Sequence, residues 1–378
     1  MNVLLHPLHS LQTGSWFKLI CGASYQHLPA VRSLALAYGL AGADCIDVAA
    51  DAAVITAAQE GIAVVKQLSN GKRAPWLMVS INDGEDPHFR KAEFDATQCP
   101  SDCPQPCVGV CPANAISLDG DGFTGVVDRL CYGCGRCLPI CPSELIVARS
   151  YVSTPVVVVP WIESMGIDAI EIHTQVGRHA DFQRVWQQIS PKINQLKLLA
   201  ISCTDAPDVI DYLRSLYDLI SPLSIPLIWQ TDGRSMSGDI GKGTTHAAIA
   251  LAQKVLSANL PGYVQLAGGT NDYTVTKLKT ARMLQPKNSH NYGYLNQKNT
   301  EVSGVAYGSY ARSLLSSILE KLEVTENLNL DSSLSKEKSM KQVFSQLENN
   351  PILLKQAVLT ASSLVELLKP ELCNYLSS

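Results

Sequence analysis

Eight of the twelve cysteines fall between positions 99 and 141, and they are the residues best equipped for chemistry. The sharper half of this block reads Cys131-Tyr-Gly-Cys134-Gly-Arg-Cys137-Leu-Pro-Ile-Cys141-Pro142. Gaps of two, two and three residues closed by proline suit one iron–sulfur cubane held by three thiolates, with the fourth turned toward a neighbouring cluster. Two-residue gaps let the thiolates converge on one face while the intervening amides point at the cluster sulfurs. The chemistry implied is electron storage or redox sensing.

The other half runs Cys99-Pro-Ser-Asp-Cys103-Pro-Gln-Pro-Cys107-Val-Gly-Val-Cys111-Pro112, so its gaps are three, three and three. The repeat shows in the residues after each Cys-Pro: Cys111-Pro-Ala-Asn-Ala-Ile116 parallels Cys141-Pro-Ser-Glu-Leu-Ile146. This is the internal symmetry of two-cluster ferredoxins, in which the fourth cysteine of each half serves the other cluster. Two [4Fe–4S] clusters are therefore expected, one on Cys99, Cys103, Cys107 and Cys141, the other on Cys131, Cys134, Cys137 and Cys111. A zinc ribbon leaves the third cysteine of each half unexplained. A disulfide framework belongs to small secreted chains, and residues 1–20 show no basic start before an apolar core. A purely structural use of the clusters stays open, because spacing does not reveal a reduction potential.

Around this block, short β-branched runs alternate with amphipathic helical segments, the pattern of βα units in a parallel sheet. Strands are expected at Lys18–Ser24, Cys45–Ala49, Trp76–Asn82, Ala169–Thr174, Lys197–Cys203, Pro226–Gln230, Tyr263–Leu266 and Gly304–Tyr307. Helices are expected at Leu28–Tyr38, Ala52–Leu68 and near Pro160–Gly166. Eight such units predict an α/β fold, a TIM-type (β/α)8 barrel. Residues 1–93 form its first part, 94–150 a ferredoxin-like insertion and 151–322 its second part. Beyond these lie a linker over 323–341 and a C-terminal helical segment over 342–378. The insertion comes after the third strand and so belongs to a βα loop, on the rim where barrel enzymes carry their sites.

Alternation within the strands decides what fills the barrel. Ile170 and Ile172 share one face of the fourth strand, Glu171 and His173 the other. If the apolar face meets the helices, Glu171 and His173 point inward, with Asp47, Ser80, Asn82, Ser202, Gln230 and Gln265. Barrel interiors are usually filled by branched apolar residues. So polar a lumen calls for internal pairing or a ligand. Glu171 and His173 are the acid–base candidates should the barrel be catalytic. Gly268, Gly269 and Thr270 after the seventh strand, with Gly308 and Ser309 after the eighth, occupy the usual phosphate-binding loops of such barrels. A flavin is a conceivable occupant there. The glycine-rich loop after the sixth strand, with Asp232, Arg234 and Lys242, is not a Walker A loop and reads as a lid. Cys21, Cys45 and Cys203 fall on strands as small buried hydrophobes.

Composition narrows the class. With 378 residues and 46% hydrophobic content the chain has ample core, and a net charge of −4 gives no basic field for nucleic acid. No apolar stretch approaches the about eighteen residues of a membrane span. A cytoplasmic protein in a reducing compartment is expected, where thiolates remain available to iron.

Lys18-Leu-Ile-Cys-Gly-Ala-Ser24, Asp44-Cys-Ile-Asp-Val-Ala-Ala-Asp51, the Cys99–Cys107 run and Gln265-Leu-Ala-Gly-Gly-Thr-Asn271 resemble the LdpA family of cyanobacterial iron–sulfur proteins. The resemblance covers nearly the whole chain. It implies input to the circadian clock, in which cellular redox state tracks light and adjusts period, and association with clock proteins. It brings no catalytic residue. The expected function is thus a redox sensor modulating clock period, responding to a quinone or a reduced carrier. The alternative is a ferredoxin-linked oxidoreductase with a flavin or phosphorylated ligand in the barrel.

Overall fold

The structure, a computed structural model, describes residues 6–21, 28–73, 75–84, 90–111, 115–118, 125–127, 130–131, 135–150, 155–234, 240–284, 301–331 and 346–372. Its strands are β1 Trp16–Ile20, β2 Cys45–Ala49, β3 Trp76–Asn82, β4 Arg90–Glu93, β5 Ile116–Ser117, β6 Gly125–Val126, β7 Val147–Ser150, β8 Ala169–Thr174, β9 Leu198–Thr204, β10 Leu227–Asp232, β11 Tyr263–Ala267 and β12 Gly304–Tyr307. Its helices are α1 Pro7–Thr13, α2 Leu28–Ala41, α3 Ala52–Leu68, α4 Pro106–Val110, α5 Pro155–Ser164, α6 His179–Ile189, α7 Val209–Ile220, α8 Thr245–Ser257, α9 Thr274–Thr280, α10 Ser309–Asp331 and α11 Pro351–Val365.

Eight strands close a barrel in the order β1-β12-β11-β10-β9-β8-β3-β2, every pair parallel. The expected (β/α)8 architecture is the observed one. Strand parity sorts two cores. Phe17, Leu19, Ile46, Val79, Ile170, Ile172, Leu199 and Ile201 face the helices. Trp16, Cys45, Trp76, Met78, Ala169, Leu198, Ala200 and Ile228 fill the lumen floor, under which α1 packs Leu11. One step further along each strand the lumen turns polar.

Helix starts follow local chemistry. Asp51 caps α3, accepting from the Ala53 and Val54 amides at 2.9 and 3.2 Å. The first strand begins at Trp16 rather than Lys18, and residues 22–24 of the expected span lie outside the described residues. The helix expected near Pro160–Gly166 runs over Pro155–Ser164, with Pro160 inside it.

The insertion is a satellite with its own small core. Its outgoing and returning strands pair antiparallel, Lys91 opposite Arg149 and Glu93 opposite Val147, so it leaves and rejoins the barrel at one place. β5 and β6 form a second two-stranded piece. Cys107, Cys111, Cys131 and Cys137 are buried there among Ala92, Ala115, Ile116 and Ile146. A buried ion pair ties the insertion down: Lys91 Nζ on β4 lies 2.8 Å from Asp51 at the end of β2. That contact puts the insertion on the rim at the strands' C-terminal ends.

Over 323–331 of the expected linker α10 continues as helix to Asp331; the remainder of that span lies outside the described residues. The C-terminal segment docks on the barrel. α11 packs against α2 and α10. Arg32 donates to both Glu348 oxygens, at 2.8 and 2.5 Å. Lys369 is buried between Asp44, at 2.6 Å, and the Gly42 carbonyl, at 2.9 Å.

Candidate functional site

The cysteines come to their positions through short turns. A 3-10 turn over Ala96–Gln98, capped by Asp95, delivers Cys99. The Cys103 amide donates back to Pro100. Cys107 sits in α4, entered through Gln105 in a left-handed conformation, φ 52°. Cys141 opens a turn whose Glu144 is also left-handed, φ 51°. Cys99, Cys103, Cys107 and Cys141 stand near enough for their charges to act on one another. Burial first, then the neighbouring thiols Cys103, Cys107 and Cys141, raise the Cys99 thiol above its ordinary range. Cys107 is likewise raised, by burial and by Cys141 and Cys103. Cys141 goes the other way. Burial opposes ionisation there, but backbone N–H groups of Leu145, Ile146, Ser143 and Glu144 outweigh it and hold the thiol below its usual value.

Of the second group, Cys111, Cys131 and Cys137 are buried in the same small core, and Cys134 lies outside the described residues. The Ala115 amide donates to Cys111 Sγ at 3.2 Å. Among the described residues no three Cys, His, Asp or Glu side chains close around a single ion. Cubane ligands stand further apart than those of a mononuclear site, so the two observations are compatible. Thiolates in an apolar core with amides directed at sulfur fit an iron–sulfur group.

The polar lumen is built round a residue the sequence reading passed over. Lys18 is fully buried, its ammonium 3.0 Å from Asp47 and in direct contact with Glu171. Burial alone would lower its pKa; Asp47 and Glu171 more than reverse this and raise it. Glu171, also fully buried, accepts from Gln230 Nε2 at 2.7 Å and lies 3.0 Å from His173 Nε2. Despite burial, Lys18 and His173 pull its pKa down to about 2. Glu171 is therefore held as an anion by Lys18 and His173. Asp47 accepts from Ser80 Oγ at 2.6 Å, and burial raises its pKa in spite of Lys18. Gln230 also donates to Ser202 at 3.1 Å. Gln265 donates to Gln230 and accepts from the Trp16 indole, both at 2.5 Å. These are the inward positions read from strand alternation.

At the mouth the pairing runs out. His173 is partly open, and Glu171 raises its pKa to about 8 against the effect of burial. Asp232, the last residue of β10, is buried, and burial raises its pKa to about 6. Among the described residues its Oδ1 has no hydrogen-bond partner.

The loops after β11 and β12 are adjacent but largely committed to holding themselves. Gly268 and Gly269 have φ of 70° and 84°. A side chain at Gly268 would strike Asp232 Oδ1 and the Arg234 amide. Thr270 donates to the Ala306 carbonyl at 2.6 Å, and Asn271 to Gly241 at 2.8 Å. Arg312 donates to Ser309 Oγ at 3.1 Å and to the Ile20 carbonyl at 3.0 Å, lying against Gly308. A carboxylate therefore stands over the glycine loop in which phosphate was expected. Residues 235–239 of the expected lid lie outside the described residues. The Cys21 and Cys203 thiols, raised to about 12 by burial, suit the inert role expected of them. Cys373 is not among the described residues.

Comparison with known proteins bears on both parts. A family model for the "LdpA Fe-S cluster-binding domain" matches residues 99–152, and one for the "Light dependent period A C-terminal domain" matches residues 161–367. "Light dependent period A" of Synechococcus elongatus is 49% identical over 96% of this chain and 94% of its own length. The chain belongs to the light dependent period A family. Its cysteine block is that family's iron–sulfur-binding domain, so this family member is an iron–sulfur protein. The "Protein NrfC homolog" of Haemophilus influenzae is 34% identical over 23% of the chain and 39% of its own length. Among solved structures, the carboxyl transferase domain of Rhizobium etli pyruvate carboxylase aligns with 95% of this chain and 50% of its own, at 9% identity and a TM-score of 0.39; at that distance it carries no argument. The C-terminal family domain includes α11, so within the family this helix goes with the barrel.

Lys18 and the Asp51–Lys91 pair are what sequence reasoning missed, and Asp232, expected in the loop after the sixth strand, is the last residue of β10. Parity held the first signal: Leu19 is apolar and outward, which turns Lys18 inward.

Proposed function

We propose that this light dependent period A protein holds two [4Fe–4S] clusters and reports cellular redox state to the circadian clock, setting period in response to light. The observation that carries the reading is one small core that packs Cys107 and Cys111 from the first half of the block with Cys131, Cys137 and Cys141 from the second. That interleaving is the arrangement expected of a two-cluster domain. When bound, each cluster supplies a reversible one-electron store. Cys99, Cys103, Cys107 and Cys141 would hold one, and Cys111, Cys131, Cys134 and Cys137 the other.

The chain's own residues supply the rest. The amides of Ser143, Glu144, Leu145 and Ile146 favour the thiolate of Cys141, and that of Ala115 bonds Cys111. Cys141 is joined through this same turn to β7, which pairs with β4 and leads into the barrel. Lys91 on β4 grips Asp51, which caps α3. A shift at the Cys141 turn thus reaches the barrel rim through two paired strands and one buried ion pair, where it would alter binding of a clock partner. The relative named for light-dependent period supports the biological setting, and the cytoplasm is the matching compartment. Among the described residues no helix is long and apolar enough to cross a membrane.

The test is an anaerobic redox titration of the purified full chain, followed by visible absorbance and EPR. The proposal expects at least one midpoint within the cellular range of potentials. Clusters that keep one oxidation state across that range would refute it.

A further inference from the structure

The cysteines of the insertion are not equally sheltered. Cys99 and Cys103 are half-buried in a turn whose Pro100, Ser101 and Asp102 are exposed. Their amides bond back within the same stretch, Cys99 to Ala96 at 3.2 Å and Cys103 to Pro100 at 3.0 Å. Cys141 is half-buried as well, between exposed Ile140 and Pro142. Cys107, 5% exposed, is the inner member of this quartet. The other quartet is knit into the interior. Its described members Cys111, Cys131 and Cys137 are 9%, 8% and 7% exposed, packed among Ala115, Ile116 and Ile146. A run of hydrogen bonds ties Cys111 to Cys131. The Ala115 amide donates to Cys111 Sγ at 3.2 Å, the Val127 amide to the Ala115 carbonyl at 2.7 Å, and the Cys131 amide to the Val127 carbonyl at 3.1 Å. We propose that the cluster on Cys99, Cys103, Cys107 and Cys141 is the port through which this protein exchanges electrons with an external one-electron carrier, and that the cluster on Cys111, Cys131, Cys134 and Cys137 is filled and emptied through it.

This division of labour rests on the two-cluster reading above. Electron transfer slows steeply with distance, so a carrier meets first the cluster that has three of its four ligands at the surface. Exposure favours the same order energetically. A reduced cluster carries one more negative charge, which water stabilises and an apolar core does not. The outer cluster therefore takes up an electron before the inner one. The way inward is short: α4 carries Cys107 at its second residue and ends on Cys111, so one five-residue helix spans both quartets. In each exchange the carrier loses one electron and the outer cluster gains it, and the inner cluster is then reduced as the outer is reoxidised. No bond or proton changes hands.

The test strips iron from the anaerobic, cluster-loaded full chain with an anionic chelator, bathophenanthroline disulfonate, while iodoacetamide alkylates each thiol that is freed. Iron should leave in two phases of about equal size, one per cluster. Peptide mass spectrometry should find Cys99, Cys103, Cys107 and Cys141 alkylated with the first phase, and Cys111, Cys131, Cys134 and Cys137 only with the second. The electron arm uses dithionite-reduced protein and hexaammineruthenium(III), a water-bound one-electron acceptor. Protein stripped of its first-phase iron should be oxidised about ten-fold or more slowly than the intact chain, because the remaining cluster has lost its port. A starting iron content of one cluster would sink the two-cluster reading and this division with it. With two clusters present, alkylation of the Cys111 quartet first or of both quartets together, or stripped protein oxidised as fast as the intact chain, would overturn the division alone.

Discussion

Replacing Lys18 by methionine removes the only cation touching both Asp47 and Glu171 among the described residues, while keeping an unbranched stem of similar length. The Lys18 ammonium is wholly buried, 3.0 Å from Asp47 and in contact with Glu171. Breaking a buried pair by removing one partner typically costs about 3–5 kcal/mol, because the remaining charge has neither water nor counterion. For a domain of this size each kcal/mol moves the melting point by about 2–4 °C, so a fall of about 6–20 °C is expected. The pH dependence identifies the cause. In the parent, Glu171 sits at about 2, below its unfolded value, so its contribution is complete above pH 4.5 and lost only as pH falls toward 2. Without Lys18 the folded Asp47–Glu171 pair binds protons more tightly than the unfolded chain does. The deficit of K18M should therefore grow as pH rises from 5 to 7.5. Adding Glu171→Gln should recover part of it. Urea unfolding followed by circular dichroism in anaerobic buffer measures all three proteins. A cost below about 1 kcal/mol, or one independent of pH, would refute the reasoning.

Three further outcomes are expected. Cys111→Ser should lower iron content; combined with Cys131→Ser it should cause no further loss, but combined with Cys107→Ser the loss should be larger, as read by iron assay. His173 sits at about 8, above its unfolded value, so its stabilisation is complete below pH 6.5 and lost as pH rises through 8. Discounted for its exposure this is about 1–2 kcal/mol, and denaturant unfolding at pH 6 and 9 should show the loss flattened in His173→Gln. Lys91→Met strands Asp51 in the rim and should speed proteolytic cleavage within 94–150, while the barrel fragment stays intact; an unchanged cleavage rate would speak against the Asp51–Lys91 tie.

Much of this is legible in the sequence. β2 and α3 fall where β-branched alternation, the Asp51 cap and helical periodicity put them, because each signal is local. Strand parity also places Glu171, His173, Gln230 and Gln265 inward. Lys18 escapes because its partner Glu171 is 153 positions away and meets it only when the barrel closes. Glu171 is placed inward by parity beside His173, but its contact with Lys18 depends on the same closure. Asp232 reads as a loop residue, although the strand continues through it. The glycines after β11 are legible as a close-approach turn, but not what approaches them: Asp232 Oδ1 lies against Gly268 and the Thr244 backbone against Gly269. The α10 extension is hidden by a polar composition that resembles a linker, and the docking of the last helix depends on Arg32 and Asp44, far back in the chain.

The most direct measurement is iron and acid-labile sulfide per chain on anaerobically purified protein, with EPR after dithionite reduction. Two interleaved cubanes predict about eight of each and signals from two interacting [4Fe–4S] centres. Zinc in place of iron, or a single cluster's complement with all eight cysteines present, would contradict the account.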